Sequence, residues 1–244
     1  MSETLQLIAN TQHAIRTSPV GQKLDTIERW SEFRGTESRG LWLELLGPTA
    51  VVLTHQEYFV DFVQRWGEFL KDDYKNPLLI ASSVHDIGEA TIGDTAAPKK
   101  KDSDKTVETV AALNQINLLP LRNENVTKLK ESYLSVVHGD SQTLNYLFRS
   151  LERSEYLDTA IHLYNNLIEG LKMEKGQLMI ASVLNIDLPK NKSYAKKLPK
   201  IIGPYIKEKR QLIDKMYENS EEADDDTFRT QFEQVKRFWG NYIK

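Results

Sequence analysis

The chain has 244 residues and a net charge of −3, so no strong field draws nucleic acid or a membrane surface to it. Its 40% hydrophobic and 27% charged residues suit one large or two small globular domains. There is no cysteine, which excludes a disulfide framework, thiolate metal ligands and cysteine nucleophiles and leaves histidine and carboxylate to hold any metal. The first residues, MSETLQLIANTQHAIRTSPV, are polar and lack a signal-peptide core. No apolar run approaches the roughly 18 residues of a membrane span. The expectation is a cytoplasmic protein that engages neither membrane nor nucleic acid polymer.

Residues 1–20 predict a short helix ending near Ser18-Pro19. Between Gly21 and Gly35, Leu24, Ile27, Trp30 and Phe33 fall at helical spacing, on a helix that also carries Arg29 and Arg34. Residues 35–50 read as a Gly- and Pro-punctuated connection around LWLELL. From Val51 to Leu70, His55 shares a stripe with Phe59, Phe62, Val63 and Trp66, so its imidazole points inward. Pro77 suits a helix start, and Leu78, Ala81 and His85 then share a face. Residues 91–104 read as a loop holding Pro98 and the lysines 99–101. Helices follow over 105–119 and 123–137, with a turn at His138-Gly139-Asp140-Ser141 and one long helix from Thr143 to Leu171. A helix over 175–187, a Lys/Pro-rich loop, a helix near 200–218, the acidic run 221–226 and a last helix complete the chain. Period-2 runs bounded by turn dipeptides are absent, so the fold is expected to be all-α. The expected division is a core over 1–187 and a helical extension over 188–244.

The stretch Leu79–Lys100 carries the chemistry. His85 is followed directly by Asp86, and Glu89 lies three residues further on, on the same helical face. Imidazole and carboxylate suit borderline divalent cations, and a carboxylate one turn away can handle the proton of an attacking water. One buried histidine is more often a hydrogen-bonded core residue than a ligand. Two on successive helices, one joined to Asp, favour a metal site at His55, His85 and Asp86.

His…His-Asp on a helical scaffold resembles the HD-domain phosphohydrolase superfamily. The run His85, Asp86, Glu89, Gly93, Asp94, Pro98, Lys100 is similar to the 5′-deoxynucleotidase branch. So is the Ile-x-Arg-Trp-x-x-x-Arg segment at Ile27, Arg29, Trp30 and Arg34. The resemblance covers roughly residues 15–185. It implies an HD-domain helical bundle, one divalent cation (Mn, Co, Mg or Zn), a small-molecule nucleotide substrate and a homodimer. His55, His85, Asp86 and an acidic residue on the long helix would hold the metal. In register with the family that residue is Glu152, with Glu155 and Asp158 as the other candidates. Glu89 would be the general base or position the water. Asp94 would protonate the leaving 5′-oxygen or bind the sugar hydroxyl. Arg29 and Lys100 would bind the phosphate, and Trp30 would stand against a 2′-hydroxyl. Two departures from the family are the added LWLELLGP segment and the glutamate in place of aspartate at the fourth ligand. The activity implied is hydrolysis of (deoxy)nucleoside 5′-monophosphates, a phosphoric monoester hydrolysis. A dNTP phosphohydrolase with the same site and a metal-dead nucleotide-binding module are the alternatives.

Overall fold

The computed structural model describes residues 2–31, 38–67, 70, 72–94, 102–145, 147–149, 151, 152, 155, 156 and 159. All regular elements among them are helical. The chain divides into two compact units, Met1–Phe148 and Arg149–Lys244. The expected boundary at 187/188 and the helices expected beyond it lie outside the described residues. No helix among the described residues is long and apolar enough to cross a membrane.

The first unit opens with α1 (Glu3–Arg16). The Ser2 hydroxyl caps it by accepting from the Leu5 N–H, and Glu3 complements the positive end of the helix dipole. A second helix, α2 (Pro19–Leu24), starts at once, with Pro19 where its missing N–H costs nothing. The two helices meet so closely at Gly21 that a β-carbon there would stand 2.1 Å from the Ile15 carbonyl oxygen.

Within the span Gly21–Gly35 expected to be one helix, α2 stops at Leu24, residues 25–30 are not helical, and helix resumes at Ser31, the last described residue of that span. Glu28 instead forms an isolated antiparallel bridge with Val51, in which Arg29 N–H donates to Ala50 C=O at 2.9 Å and Val52 N–H to Ile27 C=O at 3.1 Å. A chain pinned this way cannot also make the local helical bonds. The connection expected around LWLELL is itself helical. This is α3 (Arg39–Leu46), capped by Ser38 and followed by a 3₁₀ turn at Gly47–Thr49. Trp42 is fully buried and donates its indole N–H to the Arg29 carbonyl at 3.4 Å, and Arg39 pairs with Glu28 at 2.8 Å. Helix α3 therefore braces the Arg29–Trp30 stretch.

Helix α4 (Val52–Gly67) carries the expected apolar stripe, with Phe59, Phe62 and Val63 buried. Helix α5 spans Asp72–Ser82, so Pro77 lies inside it and does not begin it. Asp72 and Asp73 start the helix by complementing its dipole, and Pro77 is early enough to forfeit a single bond of the ladder. Tight turns then lead to the one-turn helix α6 (Glu89–Ile92), followed by α7 (Asp102–Leu118) and α8 (Asn123–Tyr133). A π turn over Leu134–His138 ends at left-handed Gly139, and the described residues from 142 to 148 are helical. Helix α5 packs against α1, α4 and α8, and α6 against α2 and α7. The core that joins them includes Leu24, Val52, Val84, Ile87, Ile116 and Leu129. Each such side chain is worth about 1.5–3 kcal/mol on burial. Val84 and Ile87 belong to this core, so the turn that holds His85 and Asp86 is anchored on both sides.

In the second unit the described residues 149, 151, 152, 155, 156 and 159 are helical, in keeping with the long helix expected there.

Candidate metal centre

His55 sits one turn into α4, wholly buried. Its ring stacks on Phe59, one turn further along the same helix, with centroids 6.2 Å apart. His85 and Asp86 stand beyond the end of α5. There the chain winds through i→i+3 turns: Ser83 N–H to Ile80 C=O at 3.2 Å, Val84 N–H to Ala81 C=O at 3.1 Å, Ile87 N–H to Val84 C=O at 3.2 Å. His85 is not on a regular helical face as expected, yet its ring is buried all the same. Gly88 permits this packing, since a β-carbon there would lie 2.9 Å from the Glu108 carbonyl oxygen of α7.

The three residues converge. His85 Nε2 lies 3.0 Å from Asp86 Oδ2, His55 Nε2 lies 3.4 Å from the same oxygen, and the two Nε2 atoms are 3.4 Å apart. His85 Nδ1 is 2.8 Å from the Ser82 carbonyl oxygen, so it carries a proton and donates. The Nε2 of a neutral His85 is then an acceptor that faces a carboxylate, acceptor against acceptor. Such a meeting calls for a cation or a shared proton between the groups. Burial alone would raise the Asp86 carboxyl, but the charge of His85 and hydrogen bonds from His55 and His85 outweigh it and hold the group well below its ordinary 3.8.

The donor set fits a divalent metal. Ligand bonds of about 2.0–2.2 Å place neighbouring ligands about 3.4 Å apart around a tetrahedral ion and about 3.0 Å apart around an octahedral one. The observed edges fall at these values. His85 is oriented by a backbone carbonyl, as metal-binding imidazoles usually are. Phe59 and Phe148 wall the site, their rings 5.4 Å apart and each against His85 at 4.9 and 5.8 Å. An apolar wall of this kind excludes water and strengthens the ligands' hold on a cation.

The other residues singled out in the sequence take varied positions. Glu89 is buried and begins α6, its N–H bonded to the Asp86 carbonyl at 3.0 Å. It stands outside the three-residue cluster. Arg29 is buried. Trp30, half-buried, has a φ of 59°, a left-handed backbone that a bulky residue seldom adopts. Asp94 is exposed. Lys100, Arg34 and Asp158 lie outside the described residues. In the second unit Glu152 accepts from Arg149 Nη1 at 2.8 Å and Tyr156 Oη at 3.4 Å, while Glu155 is fully buried and accepts from Thr159 at 2.8 Å.

Sequence reasoning passed over Gln56 and Ser82. Gln56 interrupts the buried stripe of α4 one residue after His55, and its Nε2 donates to the Ser83 carbonyl at 2.7 Å. A polar residue inside an apolar stripe is a signal that was available. Ser82 contributes a main-chain carbonyl, which no side-chain pattern marks.

No protein-family model matches the chain, and neither does any curated protein or solved structure.

Proposed function

We propose that the chain is a divalent-metal-dependent phosphohydrolase that removes the 5′-phosphate of (deoxy)nucleoside monophosphates. The observation that carries this is the convergence of two imidazole nitrogens and one carboxylate oxygen within 3.0–3.4 Å, inside a wall of aromatic rings. A divalent cation bound there would polarise a phosphoryl oxygen and acidify a water.

The protein's own groups account for the remaining steps. Glu89, held next to Asp86 by the backbone, takes the proton of the attacking water. A phosphorus–oxygen bond forms to that water and the bond to the 5′-oxygen breaks, giving orthophosphate and a nucleoside. Asp94, exposed at the end of α6, serves the leaving oxygen or the sugar hydroxyl. Arg29 and Lys100 neutralise the phosphate dianion, the planar guanidinium matching two of its oxygens. Trp30 meets the sugar and penalises a 2′-hydroxyl, a discrimination of a few kcal/mol that a fixed aromatic ring can supply. For the fourth ligand we put Glu152 first, with Glu155 and Asp158 as the other candidates.

The test is a screen of nucleoside 5′-monophosphates and dNTPs with Mn²⁺, Co²⁺, Mg²⁺ and Zn²⁺. Orthophosphate from a monophosphate, lost in His85→Ala and Asp86→Ala, is the expected result. Tripolyphosphate from dNTPs would move the assignment to a triphosphohydrolase. Full activity in either variant would remove the site from the reaction, and absence of any turnover would leave a nucleotide-binding module.

A further inference from the structure

We infer that Gln56 is the positioning residue that sets the spacing of His55 and His85, and with it the grip of the site on a cation. The inference rests on the metal-site reading above. His55 and His85 come from different elements, thirty positions apart in sequence, and their Nε2 atoms stand 3.4 Å apart. Two side-chain bonds to its carbonyls add to the backbone bonds that hold the turn carrying His85. Within the turn, the Ser82 carbonyl accepts from His85 Nδ1 at 2.8 Å. Across to α4, the next carbonyl, that of Ser83, accepts from Gln56 Nε2 at 2.7 Å. Consecutive carbonyls thus orient one ligand and tie its turn to the helix residue beside the other ligand. Gln56 itself is 2% exposed.

Its other end argues that the amide serves the site and not the fold. Gln56 Oε1 is buried without a hydrogen-bond partner among the described residues. An amide retained with one end unsatisfied stabilises little. Replacing it with leucine removes that unpaired acceptor while leaving the Ser83 carbonyl without its donor, so the two changes offset. The fold should keep its stability while the register between α4 and the His85 turn loosens.

The experiment uses the full chain freed of metal and titrated with Co²⁺, read by visible absorbance. Wild-type protein should bind Co²⁺ and His85→Ala should not. Gln56→Leu should bind about 10- to 100-fold more weakly, the range found when groups behind metal ligands are removed. Its absorption band should shift, reporting altered ligand geometry, while the thermal midpoint of the metal-free protein stays at the wild-type value. Should Gln56→Leu not fold, Gln56→Met, close in length and shape, carries the same test. Wild-type affinity with an unshifted band in the variant overturns the role of Gln56 and leaves the metal site standing. Absence of Co²⁺ binding by the wild-type protein overturns both.

Discussion

His85 Nε2 lies 3.0 Å from Oδ2 of Asp86, its immediate neighbour in the chain. Regular structure does not bring consecutive side chains together. On a helix they diverge by about 100°, and on a strand they point to opposite faces. The turns after α5 remove both constraints at once, and the anchoring of Val84 and Ile87 in the core keeps them removed. The same point is reached from α4 by His55. What results is two imidazole nitrogens and a carboxylate oxygen held together by the fold.

That arrangement has a pH signature in the metal-free protein. The Asp86 carboxyl is held well below its ordinary 3.8, so the folded state binds that proton less readily than the unfolded chain. The stability it contributes is present above 3.8 and is lost as pH falls through the depressed folded-state value. Urea unfolding of chelator-treated wild type and Asp86→Asn over this range should show a wild-type advantage at near-neutral pH that disappears in acid. A stability difference that stays constant through the acid range would mean that Asp86 is not charged against its histidines.

The fourth ligand is settled by a pair of substitutions. Glu152 is the proposed ligand by resemblance to the HD-domain family, and its carboxylate is oriented by Arg149 and Tyr156. Oriented carboxylates are what metal sites use. Glu152→Ala should lower bound metal by elemental analysis, while Asp158→Ala should retain it. The reverse result assigns the ligand to Asp158. Glu155→Ala serves as the control for burial. It empties a fully buried position and should destabilise the chain by about 1–3 kcal/mol whether or not it affects the metal.

The legible parts of the sequence were those where one period governed a whole element. The stripe of α4 placed His55 inward because Phe59, Phe62 and Val63 are buried at the same helical spacing. Short elements decided by distant partners were not legible. Leu24, Ile27 and Trp30 have helical spacing, but the bridge from Glu28 to Val51 overrides it. LWLELL, between Gly40 and Gly47, looks like a connection, yet burial of Trp42 against the Arg29 carbonyl makes it a helix. Within the site, the adjacent His85-Asp86 pair could be read directly. The Ser82 and Ser83 carbonyls that organise it could not, since backbone groups leave no trace in residue identity.

Trp30 joins backbone strain to the proposed sugar preference. Its φ of 59° costs a non-glycine residue about 1–2 kcal/mol. The Arg29–Ala50 bond on one side and the Trp42 indole on the Arg29 carbonyl hold the segment in place. Two substitutions separate the backbone from the ring. Trp30→Ala and Trp30→Gly both delete the indole, and only glycine relaxes the left-handed backbone. Trp30→Gly should therefore be more stable than Trp30→Ala by about 1 kcal/mol in urea unfolding. The ratio of kcat/KM for dAMP over AMP should fall toward unity equally in both. Equal stabilities would show that φ at Trp30 relaxes in the variants. A dAMP preference that survives both substitutions would take sugar selection away from this ring.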